Sequence, residues 1–347
     1  MPDDPHKARL DDVARTAGVS LATASRALSS PALVKPGTLE RVREAARLLG
    51  YVPHGAARAL ASRRTNTVGI VIPTLDNPIF ANSTQAMQRA LGEQGYQLLL
   101  ASHEYSSDRE LQVTRALLER GVDALVLVGA DHSPELFALV TGFGIPYVLT
   151  WTVDDTGHHD CVGFNNRTAA GRVAQYLYDL GHREFAMISG FTIHNDRARG
   201  RIVGVREALA ARGIALPRER VLERPFSIEG GRDGLRAALT LKPRPTVVIC
   251  GNDMLAQGAL LEAQALGIKV PEELSITGFD DMELSAQTPP GLTTVRIPTA
   301  EIGRRVAQHI LLRLNGQATE SCTELDVELV VRGSSAPPAR KSNDLER

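Results

Sequence analysis

Aromatic side chains are scarce in this 347-residue chain, at 4% of residues with a single tryptophan. No apolar run approaches the roughly eighteen residues of a membrane-spanning helix, so no membrane association is expected. The opening stretch "MPDDPHKARLDD" is charged and has no apolar core, which argues against a secretory signal and for a cytoplasmic chain. Cysteines number only three, Cys161, Cys250 and Cys322. Odd in number and far apart, they read as reduced thiols and not as a disulfide framework or a zinc site. Nucleophile-elbow, phosphate-loop and HExxH patterns are all missing, so nothing points to an enzyme, a metal or a cofactor.

What is present suits a globular protein of two or three domains, with 43% hydrophobic and 23% charged residues. The formal net charge of −1 hides an asymmetry. Residues 1–64 carry 11 Lys and Arg against 6 Asp and Glu, whereas the remainder carries 28 against 34. A basic head on an acidic body suggests that the head alone meets a polyanion.

That head reads as all-helical. In "LDDVARTA" the residues Leu10, Val13, Ala14 and Ala17 fall on one helical face, and Asp11 and Asp12 sit in the first turn. Gly18 suits the turn that ends the helix, and Ser20 suits the cap of the next, over Leu21–Leu28, which would bury Ala24, Ala27 and Leu28. A third helix, capped by Thr38, would bury Leu39, Val42, Ala46 and Leu49 and stop at Gly50. Two helices joined by a tight glycine turn, the second poor in bulk ("GVSLATASRALSS"), describe a helix-turn-helix. Small side chains would let the backbone approach a major groove, hydroxyls would meet phosphates, and Arg26 is suited to guanine O6 and N7. A generic helical hairpin would share the pattern. Next, "YVPHGAARALASRRTN" is helix-prone but too short to be stable alone, so a conditional helix is expected there.

From Thr67 onward the pattern changes. Short apolar runs at 67–73, 96–102, 124–129, 146–151, 185–190, 246–251 and 274–279 alternate with amphipathic stretches such as 81–95, 108–120, 168–181, 198–213, 229–240 and 254–267. Strands apolar on both faces, alternating with helices, predict parallel sheets covered by helices, the α/β class, here in two lobes. The tail "GSSAPPARKSNDLER" reads as disordered.

The pieces "LDDVARTAGVSLATASRAL", "TLERVREAARLLGYVPHGAARAL", "TNTVGIVIPTLDNPIF", "VGFNNRTAAGRVAQYLYDLGHREFAMISG", "NDMLAQGAL", "LSITGFDD" and "PPGLTTVRIP" occur in one order over about residues 9–333. In that order they resemble the LacI/GalR family of bacterial transcriptional regulators. The resemblance implies a DNA-binding headpiece (1–52), a hinge helix (53–64), and a two-lobed, periplasmic-binding-protein-like core with parallel sheets (65–335). Lobe 1 would span about 65–163 and 293–322, lobe 2 about 164–292 and 323–335, with a disordered tail at 336–347. It implies that Leu21, Ala22 and Arg26 face base edges beside Ser20, that Thr23 and Ser25 hold phosphates, and that Leu60 is a minor-groove wedge kinking the operator. The family's usual Ser or Thr before the first helix is Arg9 here, Ala22 offers no hydrogen bond, and Ala24 replaces a common valine.

Two α/β lobes hold ligands where the carboxyl ends of their strands converge. Those ends offer Asp76, Phe80, Trp151, Arg201, Phe226, Asn252 and Asp280. Carboxylate and amide suit vicinal hydroxyls, aromatics an apolar ring face, and arginine an oxygen or a carboxylate. The resemblance places Phe80, Arg201, Phe226, Asn252 and Asp280 at ligand-contacting positions, with Trp151 where relatives often have aspartate. The bland alternative makes Asn252 and Asp280 helix caps and Arg201 half of a surface ion pair. "DDTGHHD" at 154–160 reads as a solvated loop and not a metal site. The expectation is a ligand-responsive repressor that binds palindromic double-stranded operator DNA as a homodimer, its effector a sugar or sugar acid. A solute-binding protein with the same core is the rival.

Overall fold

A computed structural model describes residues 8–29, 31–52, 64–154 and 156–339. By internal contacts the chain divides into a unit ending at Thr67 and one beginning at Val68. The proposed hinge and Leu60 lie outside the described residues, apart from Arg64.

In the first unit, helices Leu10–Thr16, Leu21–Ser29 and Pro36–Leu48 close on a core of small residues, Val13, Ala14, Ala17, Ala24, Ala27, Val42, Ala45 and Ala46. Gly18 and Gly50 take φ of 61° and 59°, the left-handed conformation that ends the helices before them. Arg9 supplies no side-chain cap. Instead its N–H donates to the Asp12 carboxylate at 3.0 Å, so the acidic first turn does the capping. Ser20 caps as expected, its Oγ accepting from Thr23 N at 3.2 Å. Thr38 does not cap the third helix. Pro36 starts it two residues earlier, because its fixed φ and missing N–H suit a first turn. Leu49 ends past that helix, exposed, and Leu28 is only half-buried.

The second unit opens with strands β1 (Thr67–Ile72), β2 (Gln97–Ser102), β3 (Ala124–Val128), β4 (Tyr147–Thr150) and β5 (Cys161–Gly163). It continues with β6 (Phe185–Ser189), β7 (Val221–Glu223), β8 (Val247–Cys250), β9 (Ser275–Thr277), β10 (Thr294–Arg296), β11 (Cys322–Glu324) and β12 (Glu328–Val330). One sheet has the order β11-β5-β4-β3-β1-β2, parallel from β11 through β1, and a second the order β7-β6-β8-β9, parallel throughout. β10 and β12 pair antiparallel. Interior strands β3, β6 and β8 are buried along their whole length, as a sheet covered on both faces requires. Helices Asn166–Asp179 and Asp196–Ala210 pack on each other, as do Ile79–Glu93 and Thr299–Leu314.

Two expectations are corrected here. Cys161 and Cys322 are not separate thiols but a disulfide, since parallel pairing of β5 with β11 sets them opposite each other, 4.5 Å apart at Cα. Cys250 alone is free, and buried. The tail is ordered at its start. Ser334 and Ser335 are buried, and Ala336 bonds through its N–H and C=O to Ser275 Oγ, its carbonyl also reaching His182 Nε2 at 3.0 Å. The 154–160 loop is solvated at its tip only, because His159 stacks on Phe137 with ring centroids 4.3 Å apart and meets Tyr147 Oη at 2.7 Å.

Candidate DNA-reading surface and effector cleft

The helix Leu21–Ser29 buries Ala24 and Ala27 and turns Leu21, Ala22, Ser25 and Arg26 outward. Leu21 is 49% exposed, more than core packing would leave a leucine at the start of an amphipathic helix. Arg26 has no ion-pair partner among the described residues. Thr23 is half-buried and its hydroxyl lies 2.8 Å from Ser20 Oγ, so these two hydroxyls are engaged in the cap. The helix thus presents a small-residue face with one uncommitted guanidinium.

In the larger unit, four of the seven proposed cleft residues come together, Trp151, Asn252 and Asp280 just past strand ends and Arg201, contrary to expectation, from within the helix Asp196–Ala210. Arg201 reaches across its surroundings with Nη1 donating to Gly251 O at 2.5 Å and Nε to Asn166 Oδ1 at 2.9 Å. Its guanidinium lies 3.7 Å from the Phe279 ring centroid and 4.0 Å from the Asp280 carboxylate. Asn166 in turn donates to Trp151 O at 3.0 Å, tying Trp151 into the same cluster. Asn252 follows Gly251, and its Oδ1 caps the helix Asp253–Ala265 through Leu255 N, as the bland reading had it. Its Nδ2, however, is buried without a hydrogen-bond partner among the described residues, and so is Asp280 Oδ2. Ser189 Oγ and Thr277 Oγ1, at the carboxyl ends of β6 and β9, share that condition. Buried polar atoms without partners cost about 1–3 kcal/mol each, and these four lie at or just past strand ends, where a polar ligand would pair them.

Burial dominates the electrostatics. It pushes the Asp280 carboxyl well above the usual carboxylate range, with Arg201 opposing and Asp253 adding to the rise. Burial also lowers Arg201 to about 10, against the pull of Asp280. Asp253 is a structural knot, accepting from Met282 N, Ser285 Oγ and Thr294 Oγ1.

Asp76 and Phe226 lie elsewhere, lining a cavity of about 430 Å³ with Thr74, Glu104, Tyr105 and Phe191. Phe226 rests on Gly190, where any Cβ would fall 2.0 Å from the ring. Phe80 turns inward, edge-on to Trp151 at 5.0 Å, and does not line that cavity. The sequence reading missed Tyr105, whose ring sits 6.1 Å from Phe226. Glu104 and Tyr105 both take left-handed φ, 53° and 59°, a costly conformation that clusters at functional sites. The only sequence signal for Tyr105 is its place just past the carboxyl end of β2.

A helix-turn-helix unit ahead of two parallel sheets, with the polar ends of both sheets converging, defines a ligand-binding DNA regulator. Comparisons with known proteins carry this further. Residues 9–54 match the profile for bacterial regulatory proteins of the lacI family, and residues 174–335 match that of a periplasmic binding protein-like domain. The chain is 36% identical over 328 residues to the HTH-type transcriptional regulator GntR of Pseudomonas aeruginosa, covering 94% of this chain and 95% of that one. Among solved structures, it matches the lac repressor dimer bound to operator and the anti-inducer ONPF with a TM-score of 0.84 and 25% identity, over 95% of this chain and 99% of the other. It also matches a transcriptional regulator CelR–cellobiose complex with a TM-score of 0.71 and 29% identity, over 94% and 100% of the two chains. The chain belongs to the LacI family of DNA-binding transcriptional regulators.

Proposed function

We propose that the protein is a repressor that binds a two-fold operator as a homodimer, its affinity set by a small polar molecule held between the lobes. Residues 1–52 dock on the major groove, 53–64 form the hinge that carries the Leu60 wedge, and 65–335 receive the effector and dimerise. The observation that carries the reading is the outward face of Leu21–Ser29, where Leu21, Ala22, Ser25 and Arg26 stand free of the core. So small a headpiece reads few base pairs, and specificity then needs two copies on half-sites about one helical turn apart. Support for the homodimer comes from the edge strand β2 and its neighbour loop, which leave Leu75, Leu99 and Leu100 exposed.

The effector is a sugar or sugar acid. Asp280 Oδ2 and Asn252 Nδ2 offer an acceptor and a donor for neighbouring hydroxyls, and Arg201 adds a cation for an oxygen or a carboxylate. The ligands of the lac repressor and CelR structures lend this support by analogy only. A solute-binding protein would need the cleft but no outward Leu21–Ser29 face, and the named relatives are regulators and not enzymes. The deciding experiment is selection of bound duplexes from a random pool by the purified full chain. An enriched palindrome with a central pyrimidine–purine step is expected, since such steps kink most readily. Uniform recovery with and without candidate sugars would refute the reading.

A further inference from the structure

The Cys161–Cys322 disulfide closes a loop of 161 residues at a mechanically special place. β5 leads within three residues into the helix Asn166–Asp179, which packs on Asp196–Ala210 beside the second sheet. β11 leads through Leu325–Val327 into β12, the partner of β10. On the lobe boundaries expected from the sequence, these are two of the three chain segments that pass between the lobes, and the third crosses at 292–293, just before β10. Past the disulfide the two strands stay together, with Leu325 N donating to Gly163 O at 2.7 Å and Arg172 Nη1 to Val327 O at 3.1 Å. The bond therefore pins two crossing strands side by side at the point about which the lobes turn.

A chain that reads DNA works where thiols are held reduced, and disulfides formed there are transient and redox-sensing. We propose that Cys161 and Cys322 form a reversible clasp that reports the redox state to the operator-binding equilibrium by stiffening the lobe hinge. The proposal rests on the operator-binding reading above.

The chemistry closes without a metal. Cys322 is half-buried on the edge strand of its sheet, whereas Cys161 is fully buried. A small hydroperoxide transfers its terminal oxygen to the Cys322 sulfur, releasing an alcohol and leaving a sulfenic acid. The Cys161 thiol then displaces the sulfenic hydroxyl, its proton leaving with that group as water, and the S–S bond forms. The peroxide gains the two electrons that the two sulfurs lose. A small dithiol reverses the bond by exchange and leaves as its own cyclic disulfide. Cys250 takes no part, being buried in β8 with its thiol pushed well up by burial.

The test uses the full chain, tert-butyl hydroperoxide as oxidant and dithiothreitol as reductant. Thiols counted in denaturant should number three in the reduced chain, one after oxidation, and three again after reduction. Operator affinity, measured on the selected duplex, should differ about tenfold between the two forms, within the usual range of coupling between sites. The Cys322→Ser variant should show no such difference. Amide exchange of residues 163–166 and 325–330 should be slower in the oxidised form. Three thiols after oxidation, or one thiol with equal operator affinity and equal exchange, would overturn the proposal. If neither form selects a duplex, the operator reading fails, while the thiol counts and amide exchange still decide the clasp.

Discussion

Gly129 is where one added methyl group should loosen the two lobes. It sits at the carboxyl end of β3 with φ of 96°, and an ideal Cβ there would lie 2.0 Å from Arg197 Nη1 and 2.5 Å from Asp196 Oδ1. Both side chains belong to the start of the helix Asp196–Ala210, which packs beside the second sheet, so the contact spans the lobes. Arg197 Nη1 donates to Val128 O at 3.0 Å, Ala130 N donates to Asp196 Oδ2 at 3.1 Å, and Arg199 reaches Asp131 at 2.6 Å. On the other side, His132 Nε2 lies 3.0 Å from Gly129 O and holds the loop in place. Side-chain ends can swing away from a new methyl group, so the cost of Gly129→Ala is the bonds they surrender. A charged hydrogen bond is worth about 1.5–3 kcal/mol, and forcing alanine to positive φ costs about 1–3 kcal/mol more. Only the lost hydrogen bonds act on the lobe equilibrium, moving it toward parted lobes by about 10- to 150-fold, whereas the strain of alanine at Gly129 is present in both arrangements and lowers the melting temperature instead. Hydrogen–deuterium exchange of residues 128–131 and 196–199 in the full chain reads this directly, with Asp196→Asn as a milder variant that keeps an acceptor. Exchange within twofold of the parent in Gly129→Ala, together with a lowered melting temperature, would refute the latch and leave Gly129 a purely local requirement of β3.

Two further outcomes follow from the two sites. Arg26→Ala should weaken binding to the selected operator by about 1–3 kcal/mol and relax preference at one base pair per half-site, with an unchanged melting temperature, since the side chain is outside the core. Titration of operator variants by fluorescence anisotropy checks it, and a uniform loss across all sequences would reassign Arg26 to the phosphates. Asp280→Asn removes a carboxyl whose pKa is raised by burial in the folded chain. A raised acid costs stability as pH climbs from the unfolded value of about 4 towards the folded one, because only the unfolded chain then releases its proton freely. The variant should therefore gain stability over the parent at pH 7, the gain shrinking towards pH 4, while its affinity for any sugar that protects the parent falls. Urea titrations at both pH values, with and without the sugar, measure this. A variant less stable than the parent at pH 7 would mean that the Arg201 pairing outweighs desolvation.

The sequence announces some elements and hides others for reasons that particular residues make plain. "ALVLVG" and "FAMISG" read as strands because both faces of β3 and β6 are covered, leaving unbroken apolar runs. β5, β7, β10, β11 and β12 are three residues each, most of them half-exposed, and exist because a neighbour offers hydrogen bonds. No local period reveals them, and without β5 and β11 the meeting of Cys161 with Cys322 is equally hidden. Asn252 and Asp280 could be found because strand ends are where such folds gather polar groups, whereas Arg201 reaches the same cluster from within the helix Asp196–Ala210. Whether each would face a ligand or cap a helix could not, and Asn252 does one with Oδ1 while leaving Nδ2 unpaired. Tyr105 escaped because its role depends on Phe226 across the cleft, 121 residues further along the chain.

That pairing bears on how a ligand could act at all. Tyr105 and Phe226 line the 430 Å³ cavity, whereas Arg201 and Asp280 lie buried outside its lining, 8% and 3% exposed. Tyr105 follows β2 of one sheet and Phe226 follows β7 of the other, so their ring contact joins groups carried by different lobes. The contacts at Gly129 join the same two lobes. A ligand that bound parted and joined lobes equally would shift nothing, however tightly it bound. On the function proposed above, the lever on operator affinity would be the difference in its contacts to Asp280, Asn252 and Arg201 between the two arrangements. That difference would have to exceed the latch's own hydrogen bonds, about 1.5–3 kcal/mol, which sets a scale of at least about tenfold preference for one arrangement.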